Sequence, residues 1–276
     1  NMHSVMNTLY SPLALTTEFE KYSAMEIYEM LSDSKNSLLR KKVMKYASEN
    51  GLIYIKDTSG TNINVQIIDT AKLPTKLLVE ANDDKPVIIV MDYAFGEQAF
   101  ETMDELLKPY KISKKETQFL DVRSVSIMGK AGILEGGKGD IMIPSSHVFE
   151  GTADNYPFKN MLKKSHFEGE DVNVSKGAMI TVLGTSLQNK DILKFFNNST
   201  WNVVGLEMEG AHYQKAIQSA SKIRHSISSK VKVRYAYYAS DNPLKTGGTL
   251  ASGGLGTSGV KPTYLITEKM LNQILE

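Results

Sequence analysis

Four segments of the sequence place acidic or small residues directly after an apolar run, where ligands bind in open α/β sheets. They are residues 92–97, 129–132, 207–210 and 240–243. Three contain carboxylates, which accept hydrogen bonds from hydroxyl groups and can transfer protons. The fourth is a Gly-Lys-Ala-Gly turn, which a ligand could approach closely. The pattern predicts one cleft lined by carboxylates and backbone amides.

The composition excludes several other kinds of site. The 276 residues include no cysteine, which removes disulfides, thiolate nucleophiles and cysteine-based metal sites. The five histidines are scattered, with no pair at metal-ligand spacing, and there is no Ser-His-Asp order and no Walker loop. The chemistry therefore depends on carboxylates, and the sequence predicts no metal and no cofactor.

Charge and hydropathy narrow the class of partner. Lys and Arg number 32 and Asp and Glu 31, a net charge of +1 that argues against binding nucleic acid or anionic membrane by bulk charge. No stretch approaches the roughly 18 apolar residues that a membrane span needs, and the start does not have the pattern of a secretory signal. We expect a soluble, cytoplasmic protein that binds a small molecule.

From residue 86 onward, continuous apolar runs typical of buried strands alternate with segments that have the apolar spacing of helices. This order predicts an α/β domain with a mixed or parallel sheet. The expected strands are residues 87–91, 122–128, 140–144, 178–183, 201–206 and 231–239, and the expected helices are residues 97–108, 209–221 and 267–275. The first strand is continuously apolar, as in a strand covered on both faces.

The N-terminal part reads differently and predicts a small α+β extension. Helical spacing covers residues 16–50, and two short apolar runs at 52–55 and 63–68 predict a hairpin. A polar stretch that ends in Pro86 marks the boundary. The predicted domains are therefore residues 1–85 and 86–276.

Taken in order, the four segments resemble the nucleoside phosphorylase and nucleosidase superfamily. The family's Gly-Ser-Ala-Gly-Gly turn corresponds to residues 129–133, and its Gly-Asp-Ile-Val-Ile-Pro strand to residues 139–144. Its Glu-Met-Glu-Ala/Gly-Ala segment is unbroken at residues 207–211. Residues 240–243, Ser-Asp-Asn-Pro, look most like the Ser-Asp-Gln-Pro of AMP nucleosidases.

The resemblance implies a fold and an activity. The fold would be a three-layer α/β/α nucleoside phosphorylase-like domain with a central mixed sheet, over residues 86–276. The activity would be hydrolysis of the N-glycosidic bond of a purine nucleoside or nucleotide, as in AMP or methylthioadenosine nucleosidases, without a cofactor. Members of the family commonly form homo-oligomers, which we expect here as well.

The resemblance also implies roles for individual residues. Asp241 would donate a proton to N7 of the purine or hold N7 through a hydrogen bond, and Glu97 aligns with the glutamate that activates water. Glu209 would accept hydrogen bonds from the ribose 2′ and 3′ hydroxyls, with Met208 beneath the sugar. The other implied substrate contacts are Gly129, Lys130, Ala131, Gly132, Ser186, Leu187, Gln188, Glu207 and Ser240.

Two departures bear on the nucleophile. Phosphorylases hold phosphate with Arg, whose planar fork matches its oxygens. One such Arg of the family lies in the turn that corresponds to residues 93–97, which here has a Glu and no Arg; a second falls at Ile127, and Arg123 is too early to replace it. Water is therefore favoured. Lys130 stands where Ser or Thr is usual, and a lysine could contact phosphate. Phosphorolysis with inorganic phosphate, and a substrate with a 5′-phosphate, stay open.

A third departure concerns the base. Leu187 stands where the family often stacks an aromatic ring, which would weaken stacking and leaves the purine preference open. Together with Lys130, it motivates an alternative from another class, a catalytically silent nucleoside-binding protein on the same fold. Retention of both Glu209 and Asp241 argues for the enzyme.

Overall fold

The computed structural model describes residues 1–74, 85–152, 154–184, 189–245 and 256–276. The chain forms two compact units, Asn1–Tyr93 with Leu255–Glu276, and Ala94–Gly254. Among the described residues, no helix has both the length and the apolar character needed to cross a lipid bilayer.

The described residues form eight α-helices and eleven strands. The helices are α1 (Met2–Ala14), α2 (Thr16–Phe19), α3 (Ala24–Ser32), α4 (Ser37–Glu49), α5 (Gln98–Leu106), α6 (Lys190–Asn198), α7 (Gly210–Gln218) and α8 (Val260–Leu275). The strands are β1 (Leu52–Ile55), β2 (Val65–Asp69), β3 (Val87–Met91), β4 (Tyr110–Lys111), β5 (Thr117–Gln118), β6 (Ser124–Ile133), β7 (Ile141–Phe149), β8 (Asn155–Pro157), β9 (Val174–Thr181), β10 (Val203–Glu207) and β11 (Lys232–Asp241).

The first unit has a helical core that includes one helix absent from the sequence prediction. Helix α1 buries apolar side chains at helical spacing, a signal that the sequence prediction did not use, and it buries polar side chains as well. Ser4 Oγ lies 2.8 Å from Thr267 Oγ1, and Asn7 Nδ2 donates to Tyr264 Oη at 2.7 Å. These partners lie on α8, more than 250 positions away, and the two helices satisfy each other's buried polar groups.

A three-stranded antiparallel sheet, β1–β2–β3, completes this unit and confirms the predicted hairpin. Strand β3 was expected to be covered on both faces, and this was wrong: Val87 is 59% and Ile89 44% exposed. A continuous apolar run does not specify whether one or both faces are covered. Because β3 pairs with β2, the compact units divide the chain after Tyr93, whereas the sequence suggested residue 85.

The second unit contains the central mixed sheet that the sequence predicted. Its strands follow the order β11–β6–β10–β9–β7–β8, and β11 also pairs with β7, so five strands form a closed ring. Strand β6 runs parallel to β11 and antiparallel to β10. The ring is tight at Gly205, where a Cβ would lie 2.6 Å from the carbonyl oxygen of Gly132. Helices α5 and α7 pack against each other in this unit.

Candidate active site

The predicted site segments meet at one residue of β6. Gly132 is in register with Leu206 of β10 on one side and with Asp241 of β11 on the other. Neighbouring strands lie about 4.8 Å apart. The last residues of β10 and β11 therefore flank the Gly-Lys-Ala-Gly segment of β6, and the structure brings three of the four sequence motifs together.

Asp241 is the last residue of β11, and the two oxygens of its carboxyl group differ in their hydrogen bonding. Its Oδ1 accepts a hydrogen bond from Ser240 Oγ at 2.6 Å, and Ser240 Oγ also lies 3.2 Å from the Ala131 carbonyl oxygen. The Asp241 side chain is buried, and Oδ2 meets no hydrogen-bond donor in the part of the chain that the structure describes. A buried carboxylate oxygen without a partner costs free energy, which makes it a candidate functional group.

Asn242 fixes the chain where it leaves β11. Its Nδ2 donates to the Leu134 carbonyl oxygen at 3.2 Å, and its Oδ1 accepts from the Leu244 backbone N–H at 3.0 Å. These contacts join the loop to the end of β6. Asn242 thus ties the chain that follows Asp241 to the residue after β6.

Glu207 is a structural carboxylate in this arrangement. It is 2% exposed, Thr181 Oγ1 donates to its Oε1, and its Oε2 accepts the backbone N–H groups of Glu209, at 2.6 Å, and Gly210. These contacts occupy both oxygens and hold the start of α7. Burial raises the Glu207 pKa from 4.5 to about 7, and the hydrogen bonds from Thr181 and the backbone oppose this rise.

Glu209 occupies the position just before α7. Its Oε1 accepts the backbone N–H of Gly96 at 3.2 Å, and burial raises the pKa of its carboxyl group. Tyr213, one turn further along α7, accepts the backbone N–H of Ala94 at 3.1 Å. The loop at residues 94–97 is therefore hydrogen-bonded to α7 at two points.

The two remaining motif side chains differ in exposure. Glu97 immediately precedes α5 and is exposed, at a helix N-terminus that favours a negative charge. Met208 is half-buried and packs against an apolar cluster that includes Leu134, Val182 and Leu206. The structure places Glu97 one residue after the Gly96 amide that binds Glu209.

The β6 segment at residues 129–132 is accessible in its first half and buried in its second half. Ala131 and Gly132 are buried, Gly129 is intermediate and Lys130 is exposed. The expected contacts Ser186, Leu187 and Gln188 lie outside the described residues.

The structure adds residues that sequence reasoning missed. His147 is fully buried, and its Nε2 lies 3.2 Å from Tyr237 Oη. Burial lowers the His147 pKa to about 3, so the ring stays neutral near pH 7. A Cβ on Gly210 would lie 2.5 Å from His147 Nε2 and 2.6 Å from Tyr237 Oη. The sequence offered one signal, the small residue that follows Glu-Met-Glu, but not the reason for it.

Solved structures share this fold. Campylobacter jejuni 5′-methylthioadenosine/S-adenosyl homocysteine nucleosidase aligns with a TM-score of 0.55 and 11% identity, over 91% of this chain and 94% of that chain. A futalosine hydrolase mutant of Helicobacter pylori aligns with a TM-score of 0.54 and 12% identity, over 81% of this chain and 90% of that chain. The 5′-methylthioadenosine/S-adenosylhomocysteine nucleosidase of Neisseria meningitidis, in complex with methylthio-immucillin-A, aligns with a TM-score of 0.54 and 10% identity, over 83% of this chain and 94% of that chain.

The fold is therefore that of the nucleoside phosphorylase and nucleosidase superfamily, as the motifs predicted. No curated protein matches the sequence. A family model matches residues 14–276, and the chain belongs to that family, a family of unknown function designated DUF6909.

Proposed function

We propose that this protein hydrolyses the N-glycosidic bond of a purine nucleoside or nucleotide. The observation that carries the proposal is the register of Gly132 with both Leu206 and Asp241, which sets the Glu-Met-Glu and Ser-Asp motifs beside the Gly-Lys-Ala-Gly segment. The nucleosidases of the same fold support the class of reaction. In the proposed reaction, Asp241 acts on the base, Glu209 on the sugar and Glu97 on the attacking water.

Asp241 is assigned to the leaving base. With Oδ1 held by Ser240, Oδ2 has no competing donor among the described residues and can present a proton to N7. As the bond between C1′ and N9 breaks, N7 takes that proton and the base leaves without a negative charge. This step makes a purine a competent leaving group.

The sugar is assigned to Glu209 and Met208. A carboxylate has about four lone-pair positions, so the backbone hydrogen bonds from Gly96 and Met208 leave capacity for the ribose 2′ and 3′ hydroxyls. Positive charge develops on the ribose in the transition state, and a preorganised carboxylate stabilises it. Met208 would supply a polarisable surface beneath the ring.

Water is assigned as the nucleophile. Its oxygen bonds to C1′ and Glu97 takes one of its protons, so the products are the free base and the ribose moiety. Ile127 is buried and apolar, and Arg123 donates from Nε to Asp121 on the surface, so neither position offers a phosphate fork. Hydrolysis is therefore favoured over phosphorolysis.

The deciding experiment measures adenine release from AMP, adenosine and methylthioadenosine, each with and without inorganic phosphate. Release without phosphate supports the nucleosidase. Release only with phosphate replaces it with a phosphorylase, for which the exposed Lys130 on β6 is the candidate contact. Tight binding without release supports a silent nucleoside-binding protein.

We also propose that the protein acts as a homo-oligomer, as the resemblance implies, and that it is located in the cytoplasm. Light scattering on the purified chain tests the first part of this proposal, and a monomer at micromolar concentration would refute it. Fractionation of the producing cells tests the second part.

A further inference from the structure

The first turn of α7 rests on a buried pair of side chains. His147 lies on β7 and Tyr237 on β11, two strands that pair where the ring closes. The His147 ring also stacks on Phe158, with centroids 5.3 Å apart, and contacts Tyr235 at 4.7 Å. The imidazole is therefore held by aromatic rings as well as by its hydrogen bond to Tyr237.

Gly210 touches this pair so closely that no other residue fits. A Cβ would lie 2.4 Å from His147 Cδ2, inside the distance that carbon atoms tolerate, so a larger residue would displace either α7 or the imidazole. Both obstructing groups are buried and cannot move into solvent. The place where α7 begins is therefore set by His147 and Tyr237.

We infer that Gly210, His147 and Tyr237 are positioning residues that aim the Glu209 carboxylate at the sugar. The inference rests on the proposed function. Glu209 directly precedes Gly210, and its backbone N–H is held by Glu207 Oε2 at 2.6 Å. The Gly96 amide holds the other end of Glu209, at the carboxylate. A shift of the first turn of α7 moves the carboxylate away from both Gly96 and the ribose hydroxyls.

The acid–base steps do not need His147. Burial lowers its pKa to about 3, so near neutral pH the ring is in its neutral form and is not a general acid, and none of the side chain is exposed. Its contribution is shape and one hydrogen bond. His147 is therefore a positioning residue and not a catalytic one, and its loss should change binding of the nucleoside.

The test uses Gly210→Ala and compares two ligands by calorimetry: adenosine, supplied as a C-nucleoside analogue that has no N-glycosidic bond to hydrolyse, and adenine. We expect adenosine to bind about tenfold more weakly, the effect of losing a hydrogen bond to a charged group. Adenine has no ribose and should keep its affinity within about twofold. The control is Gly137→Ala, where a Cβ meets no atom within 4 Å. Equal losses for both ligands would overturn the inference, because general loosening of the fold does not distinguish them.

A second substitution provides the rescue. In the double variant Gly210→Ala with His147→Ala, the new methyl group no longer meets the imidazole, and the space that the ring leaves allows the Tyr237 side chain to shift. Adenosine affinity should then exceed that of Gly210→Ala alone, and a further loss would count against the inference. If Gly210→Ala fails to fold, His147→Ala alone should weaken adenosine binding and spare adenine.

A third readout does not depend on activity. The Gly96 amide is hydrogen-bonded to Glu209, so its hydrogen exchange reports where that carboxylate lies. We expect exchange at least tenfold faster in Gly210→Ala than in the Gly137→Ala control. Unchanged exchange would refute the positioning role. Absence of nucleoside binding in the wild type, with faster exchange in the variant, would refute the proposed function alone.

Discussion

The backbone N–H of Gly96 donates a hydrogen bond to Oε1 of Glu209 at 3.2 Å, across 113 positions of the sequence. Gly96 has φ of +53°, in the left-handed region where glycine is favoured. The loop before α5 thus adopts a conformation suited to glycine and aims one amide at the carboxylate before α7. In the proposed reaction this contact orients the group that would receive the ribose.

Replacing Gly96 with Ala tests this relationship. A Cβ at Gly96 meets no atom within 4 Å, so the change acts only through the backbone angle. The left-handed conformation costs Ala about 1 kcal/mol. We expect kcat/KM for the nucleoside to fall about fivefold and the free energy of unfolding to fall by about 1 kcal/mol, measured by steady-state kinetics and urea titration.

The matched control is Gly96→Asn, because Asn adopts the left-handed region more readily than Ala. Its activity should lie closer to the wild type. If Asn and Ala reduce activity equally, the backbone angle is not the cause and the assigned role of the Gly96 amide is wrong.

Replacing Glu209 with Gln tests recognition of the sugar. Gln keeps an oxygen that can accept from Gly96 but loses the charge, and hydrogen bonds to charged groups are the stronger ones. We expect adenosine affinity to drop about tenfold, with adenine affinity unchanged, by calorimetry. The control Glu101→Gln makes the same chemical change on the exposed side of α5. Unchanged adenosine affinity in Glu209→Gln would remove the residue from the sugar site.

Much of the second unit follows from local patterns. Strands β6, β7, β9, β10 and β11 all overlap the apolar runs that predict them, because buried strands need such runs. The sequence also identified the two strand-end motifs that flank Gly132. The sequence left open whether the sheet is mixed or parallel, and the antiparallel pairing of β10 with β6 makes it mixed.

The contacts that position the site were not predictable from the sequence. Thr181 supports Glu207 from β9, and Gly96 supports Glu209 from a loop; neither spacing nor composition relates these pairs. The crowding at Gly210 depends on two side chains from different strands. The polar contacts of α1 were not predictable either, because burial of a Ser or Asn can be inferred only when its hydrogen-bond partner is known.

Replacing Asp241 with Asn tests proton donation to the base. Asn has nearly the same shape, and its oxygen can still accept from Ser240, so the site should keep its structure. General acid catalysis contributes about 10² to 10⁴ in rate. We expect kcat to fall by about that factor while adenosine affinity changes less than threefold. The surface variant Asp121→Asn is the control, and equal losses in turnover and binding would exclude the proton-donor role.

Replacing Glu207 with Gln tests the support of α7 and gives a pH dependence with a definite sign. Its pKa rises from 4.5 to about 7 on folding, mainly through burial. Between pH 4.5 and about 7, the folded state therefore binds more protons at residue 207 than the unfolded state does. Its contribution to stability is complete below pH 4.5 and is lost as the pH rises through 7, a change of about 3 kcal/mol.

The Gln variant cannot titrate at residue 207, so it lacks this contribution. Gln also has one acceptor oxygen in place of two, so it cannot accept both from Thr181 and from the N–H groups of Glu209 and Gly210, and the lost hydrogen bond costs about 1–3 kcal/mol. Urea titrations at pH 5 and 7.5 should show Glu207→Gln less stable than the wild type, with the larger deficit at pH 5. A deficit that is the same at both pH values, or larger at 7.5, would show that burial does not raise the Glu207 pKa.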